Sequence, residues 1–174
     1  MKKVLQLLLI SAIALQISCG KDDEGSVTVQ NEFTYDGKAY SLSQGFLTDF
    51  EDITNGSRDY DITLISSGLT VSSGGGDPTG TGNLVYLDLN SSSTTSFEPG
   101  TFTWDEVRGP GKIVDAGLAI DFNFATSTES DAIFIKDGTV TVQKEESIYT
   151  ITFTLTTTDN KAVTGYYKGT LTNE

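Results

Sequence analysis

The chain has no histidine. That absence removes Ser-His-Asp and Cys-His catalysis and nearly every zinc-ligand pattern. Only carboxylate chemistry stays open: acid–base work by paired Asp and Glu, or oxygen ligation of Ca²⁺. Cysteine occurs once, at Cys19, so no intrachain disulfide forms and the fold must rest on its core. Basic residues are scarce, 11 Lys and Arg against 24 Asp and Glu, for a net charge of −13. Such a surface repels phosphate backbones and anionic lipid head groups, which argues against a nucleic-acid partner. Long apolar runs are missing as well. The one candidate, Val4 to Ile17, is shorter than the roughly 20 residues a transmembrane helix needs.

What the N-terminal segment does contain is ordered. Lys2 and Lys3 precede the apolar run, and Ser18, Cys19 and Gly20 end it, which is the pattern of a secretory signal. Ile17-Ser18-Cys19-Gly20 resembles the lipobox of bacterial lipoproteins. The resemblance implies cleavage before Cys19, a diacylglycerol on its thiol and an acylated amino group. More than one acyl chain gives stable anchoring, at about 0.8 kcal/mol per buried CH₂. Lys21-Asp22-Asp23-Glu24 resembles the acidic export tag of Bacteroidota-type surface lipoproteins. The resemblance implies an outer-membrane, lipid-anchored protein facing the cell exterior, with a periplasm-facing location as the alternative. The expected organisation is a signal over 1–18, a lipidated tether over 19–25 and one domain over 26–174. That length suits a single core.

Beyond the tether the pattern is period two, with no segment of helical period. Val27 and Val29 begin it, and Phe33 and Tyr35 lead to Asp36-Gly37, a two-residue hairpin signal. Residues 51–58 read as a loop. Tyr60, Ile62 and Leu64 share an inward face, as do Val85, Leu87 and Leu89, with Tyr86 and Asp88 pointing away. Leu118, Ile120, Phe122 and Phe124 are expected on one inner face. Asp137-Gly138 reads as a second hairpin. Residues 148–172 alternate aliphatic and aromatic residues with threonine, which predicts an antiparallel meander. This stretch also resembles small Bacteroidota lipoproteins of unassigned function. Nine or ten short strands predict an all-β, single antiparallel β-sandwich, with a lipocalin-like barrel as the alternative. The long polar stretches after Val71 and Leu89 read as crossings between two sheets.

Two sets of residues could carry function. Asp49, Glu51, Asp52 and Asp59 fall in one acidic segment, and loop carboxylates can collect a Ca²⁺, although the spacing fails the EF-hand rule. Tyr86, Trp104 and Tyr166 could stack on a sugar ring. No pair among the 24 carboxylates is singled out for hydrolysis. The expectation is therefore a non-catalytic binding module for a glycan or protein, with no cofactor beyond that calcium. An accessory subunit of an outer-membrane assembly and a small carboxylate-dependent hydrolase are the alternatives.

Overall fold

The computed structural model describes residues 30–71 and 78–174. Cys19, the Lys21–Glu24 run, Val27, Val29 and the expected domain boundaries lie outside the described residues. The strands are β1 (Glu32–Tyr35), β2 (Lys38–Ser41), β3 (Gln44–Thr54), β4 (Ser57–Ile65), β5 (Leu69–Thr70), β6 (Thr79–Ser91), β7 (Thr101–Trp104), β8 (Lys112–Asn123), β9 (Ile133–Glu145), β10 (Ile148–Thr157), β11 (Ala162–Gly169) and β12 (Leu171–Asn173). A 3-10 turn, Glu129–Asp131, precedes β9. The all-β class is as expected.

The arrangement of the strands differs from the expectation. They share one hydrogen-bonded sheet, in the order β12-β3-β4-β6-β8-β7-β9-β10-β11-β1-β2, with β5 attached to β6. β7–β8 and β12–β3 are parallel, so the sheet is mixed rather than purely antiparallel. It curls into a half-barrel rather than splitting into two stacked ladders. Thr170 alone separates β11 from β12, and Leu42 and Ser43 alone separate β2 from β3. Each end of the path is thus continuous in chain with a strand near the opposite end, which ties the curl together. The stretch after Leu89 is no crossing between sheets. Its Phe97 packs edge-on to Tyr60 at 5.3 Å and stacks on Phe102 at 5.9 Å, closing the core.

Alternation correctly predicts most of the core. Tyr60, Ile62, Leu64, Val85, Leu87, Leu89, Ile151, Phe153, Leu155 and Val163 all enter one buried cluster. Full burial of each large side chain contributes about 1.5–3 kcal/mol. Turn chemistry is mixed in its outcome. Asp36 and Gly37 take φ of 50° and 75° and close β1–β2. The expected loop over 51–58 is instead a hairpin: Asn55 and Gly56, with φ of 52° and 79°, join β3 to β4. Asp137-Gly138 is not a hairpin. It lies inside β9 beside a register shift, where Gly138 has φ of 149° and a Cβ would meet the Thr154 carbonyl oxygen at 2.6 Å. The β9–β10 turn falls at Glu146-Ser147 instead.

One correction shapes everything outside the core. Leu118 is buried and Ile120 packs against the main cluster, but Phe122 and Phe124 do not join them. Leu84 pairs with Ala119, whereas Gly82 pairs with Phe122, so β8 carries an extra residue between these points. Asp121 absorbs it with φ of 49°. A bulge of one residue turns everything after it to the opposite face. Phe122 and Phe124 consequently stand on the outer side of the sheet. There a second small core forms from Phe46, Ile65 and Leu69, with Leu84 and Phe124 packed on it.

Candidate functional site: a pocket on the outer face of the sheet

β4, β6 and β8 lie side by side, and their register builds four cross-strand rows. Ile65, Leu84 and Ala119 are opposite one another; then Thr63, Tyr86 and Gly117; then Asp61, Asp88 and Asp115; then Asp59, Asn90 and Lys112. The face therefore changes from apolar to acidic over three rows. Directly opposed like charges repel, so the three-aspartate row is a cost to the fold.

The apolar rows floor a pocket of about 320 Å³. Leu84, Tyr86, Ala119, Phe122, Phe124 and Phe134 line it, with Asp115 at its edge. The Phe122 and Phe124 rings meet edge-to-face at 4.9 Å. A second hollow lies on the other side of Tyr86 and shares Thr63 and Pro78 with the first. Phe46, Phe50, Asp61 and Glu174 contribute to it. Among the described residues, every charged side chain lining either hollow is a carboxylate.

The acidic rows are not left to solvent. Arg108, from the segment between β7 and β8, places Nη1 2.9 Å from both Asp52 and Asp59, and Nη2 3.8 Å from Asp88. Asn55 Nδ2 donates to the Arg108 carbonyl at 3.0 Å and fastens that segment to the β3–β4 hairpin. Asn90 donates to Asp88 Oδ1 at 3.2 Å and accepts from Ser57 Oγ at 3.2 Å. Asp59, Asp61 and Asp88 are all buried. Burial pushes the Asp61 carboxyl up to about 7; the Tyr86 hydroxyl, which donates to it, opposes the rise, while the charges of Asp59 and Asp115 reinforce it. Asp88 is raised too, by burial first and then by its hydrogen bond with Asp59 and that group's charge. Asp59 Oδ1 is buried without a donor among the described groups. Burial and the neighbouring aspartates likewise keep the Tyr86 hydroxyl protonated.

Of the three aromatic residues expected to meet a ligand, only Tyr86 is in this site. Trp104 is half-buried against the main core. Tyr166 sits on β11 between Thr152 and Glu32. The acidic segment divides between two arginines: Arg58 pairs bidentately with Asp49 at 2.8 and 2.9 Å and reaches Glu51 at 3.6 Å, while Asp52 and Asp59 meet Arg108. Among the described residues no group of three or more His, Cys, Asp or Glu is placed to hold a metal ion. Sequence reasoning missed the Asp61–Asp88–Asp115 row, Arg108 and Phe134. Alternation already put Asp61 and Asp88 on outer faces. Their alignment depends on which strands pair, which no local pattern reveals.

The fold and this site define an all-β protein with a pocket on the outer side of its curled sheet. No protein-family model, no curated protein and no solved structure matches the chain. Among the described residues, no helix is long and apolar enough to cross a membrane.

Proposed function

We propose that this protein is a lipid-anchored, extracytoplasmic binding module without catalytic activity. The signal, Cys19 and the Lys21–Glu24 run support the anchor and an outward-facing location. The curled sheet then serves as a barrel-like scaffold that carries a site rather than enclosing one. The observation that carries the binding reading is the pocket beside Tyr86. It has the size of a small-molecule site, is mostly apolar, and has few polar groups at its edge. The sequence leaves glycan and protein ligands open. The absence of histidine supports a non-catalytic role, as does Arg108 bridging two buried carboxylates, Asp59 and Asp88.

Gly117→Leu tests this reading. Gly117 lines the pocket without a positive φ, and a Cβ there meets only the Ile133 carbonyl oxygen at 3.5 Å, an ordinary contact. The variant should fold and fill the pocket. Ligands found by a glycan array or a small-molecule NMR screen of the wild type should be lost in Gly117→Leu at unchanged thermal stability. Ligands that bind both proteins equally overturn the assignment of the site.

A second reading, an accessory subunit of an outer-membrane assembly, is favoured by exposed apolar side chains near the β3–β4 hairpin. Phe50, Ile53 and Val107 are 53%, 54% and 63% exposed.

A further inference from the structure

We propose that the pocket beside Tyr86 takes a small organic cation: one ammonium or guanidinium group carried on a flat apolar body. This rests on the pocket being a binding site and names the class of its ligand.

The apolar body is dictated by the floor. Leu84, Ala119, Phe122 and Phe134 offer almost no hydrogen-bonding groups, and Phe134 is 42% exposed at the opening. Flat groups gain both from area burial and from aromatic edge-to-face packing. The geometry that makes this floor is local. Without the extra residue at Asp121, Phe122 would point into the core and the pocket would lose one wall.

The positive charge is dictated by the rim. Arg108, the only guanidinium near the aspartate rows among the described residues, is engaged by Asp52, Asp59 and Asp88. Asp115, exposed and pocket-lining, forms no ion pair among the described residues. An anionic ligand would meet only like charge. A neutral sugar would need several fixed donors and acceptors, yet among the described residues Thr63, Tyr86 and Asp115 supply the polar side chains that line the cavity. A cation satisfies Asp115, and the Tyr86 and Phe134 rings line the same cavity, where cation–π attraction adds to the ion pair. The volume of about 320 Å³ suits a single ring with a short side chain rather than an oligosaccharide.

The test uses three probes of one shape and different charge: phenethylammonium, phenethyl alcohol and hydrocinnamate. Each is titrated by NMR into the chain from residue 19 onward carrying Cys19→Ser. The expected order of affinity is ammonium, then alcohol, then carboxylate, with the spread narrowing as salt is added. Asp115→Asn should weaken the ammonium about three- to fivefold and leave the alcohol unchanged. Gly117→Leu should abolish all binding. Hydrocinnamate binding as tightly as the ammonium, or an Asp115→Asn variant with an unchanged preference, overturns the cation while leaving the pocket standing. If none of the three perturbs the pocket, both the cation and the binding-site reading fall. Competition by a blocked Phe-Lys dipeptide assigns the natural cation to a polypeptide side chain, and lack of competition assigns it to a free amine.

Discussion

Asp121 donates its backbone N–H to Asn83 Oδ1 at 3.0 Å. The two residues face each other where β6 and β8 fall out of register, so the side-chain amide replaces a ladder bond that the bulge removes. Asn83→Ala would leave that N–H without its partner. Its expected cost is about 1–2 kcal/mol by urea denaturation, together with weakened phenethylammonium binding, since the bulge sets the position of Phe122. Full stability with unchanged binding would mean that the bulge holds itself.

Phe153 is buried in the main cluster, and its ring occupies the space above Gly165 on the next strand. Phe153→Ala should cost about 3–5 kcal/mol by opening a cavity. Gly165→Leu should also destabilise, because the ring leaves no room for a side chain there. Equilibrium denaturation of both variants checks this, and a near-neutral result for Phe153→Ala would invert the inward face of β10.

The buried aspartates set a pH dependence. Asp61 is faced by Asp59 on its own strand, by Tyr86 and Asp88 on β6, by Asp115 on β8 and by Arg108. Its folded value of about 7 exceeds the ordinary 3.8, so the folded state keeps a proton that the unfolded chain gives up between those values. Stability on this account is full below about pH 4 and falls as pH rises through about 7. Asp88, raised as well, acts in the same direction. Asp49 acts oppositely: Arg58 holds its carboxyl low, and that contribution is lost as the medium becomes strongly acidic. The melting temperature should therefore peak in mildly acidic buffer and be lower at about pH 9 than at about pH 5. Asp61→Asn should flatten the alkaline side. A melting temperature that rises steadily to about pH 9 contradicts this.

Arg108 is partly exposed, yet it is the counter-charge for Asp52, Asp59 and Asp88. Arg108→Ala should destabilise by about 1–3 kcal/mol, the cost of leaving buried carboxylates without their donor. Adding Asp88→Asn should recover part of the loss above about pH 8, where Asp88 has given up its proton, because one of the unpaired charges is then gone. Thermal melts of the single and double variants at about pH 9 test the coupling. Strict additivity would mean that Arg108 and Asp88 act independently.

Cys19→Ser should release the protein from membranes, and deletion of residues 21–24 should keep it anchored but hidden from external protease. Fractionation and protease shaving read both outcomes. A Cys19→Ser protein that still sediments with membranes refutes lipidation.

Much of the fold was legible from period-two alternation, since burial of one face leaves that mark on each strand separately. It identified the inward residues of β4, β6, β10 and β11. It failed at β8 because one residue with a left-handed backbone, Asp121, reverses the faces, and aspartate tolerates that conformation without advertising it. It failed at Asp137-Gly138 because the same dipeptide serves a bulge as readily as a turn. Asn55-Gly56 was the stronger hairpin signal and was hidden in a polar, acidic stretch. For the site, Tyr86 was legible as outward-facing. The aspartate row was not, because its members come from three strands up to 54 residues apart in the chain, brought together only by the β4–β6–β8 register.

The short parallel ladder of β12 on β3 has a practical consequence for anyone cutting or tagging this molecule. Leu171, Thr172 and Asn173 cover one side of Gly45–Leu47, and the Glu174 N–H bonds to the Leu47 carbonyl at 3.0 Å. Trimming residues 171–174 would strip that side bare, and a naked strand margin recruits a neighbour. A clipped product would then recover its missing ladder from another copy, and heterogeneous oligomers on a sizing column would be the first sign of careless proteolysis at that end.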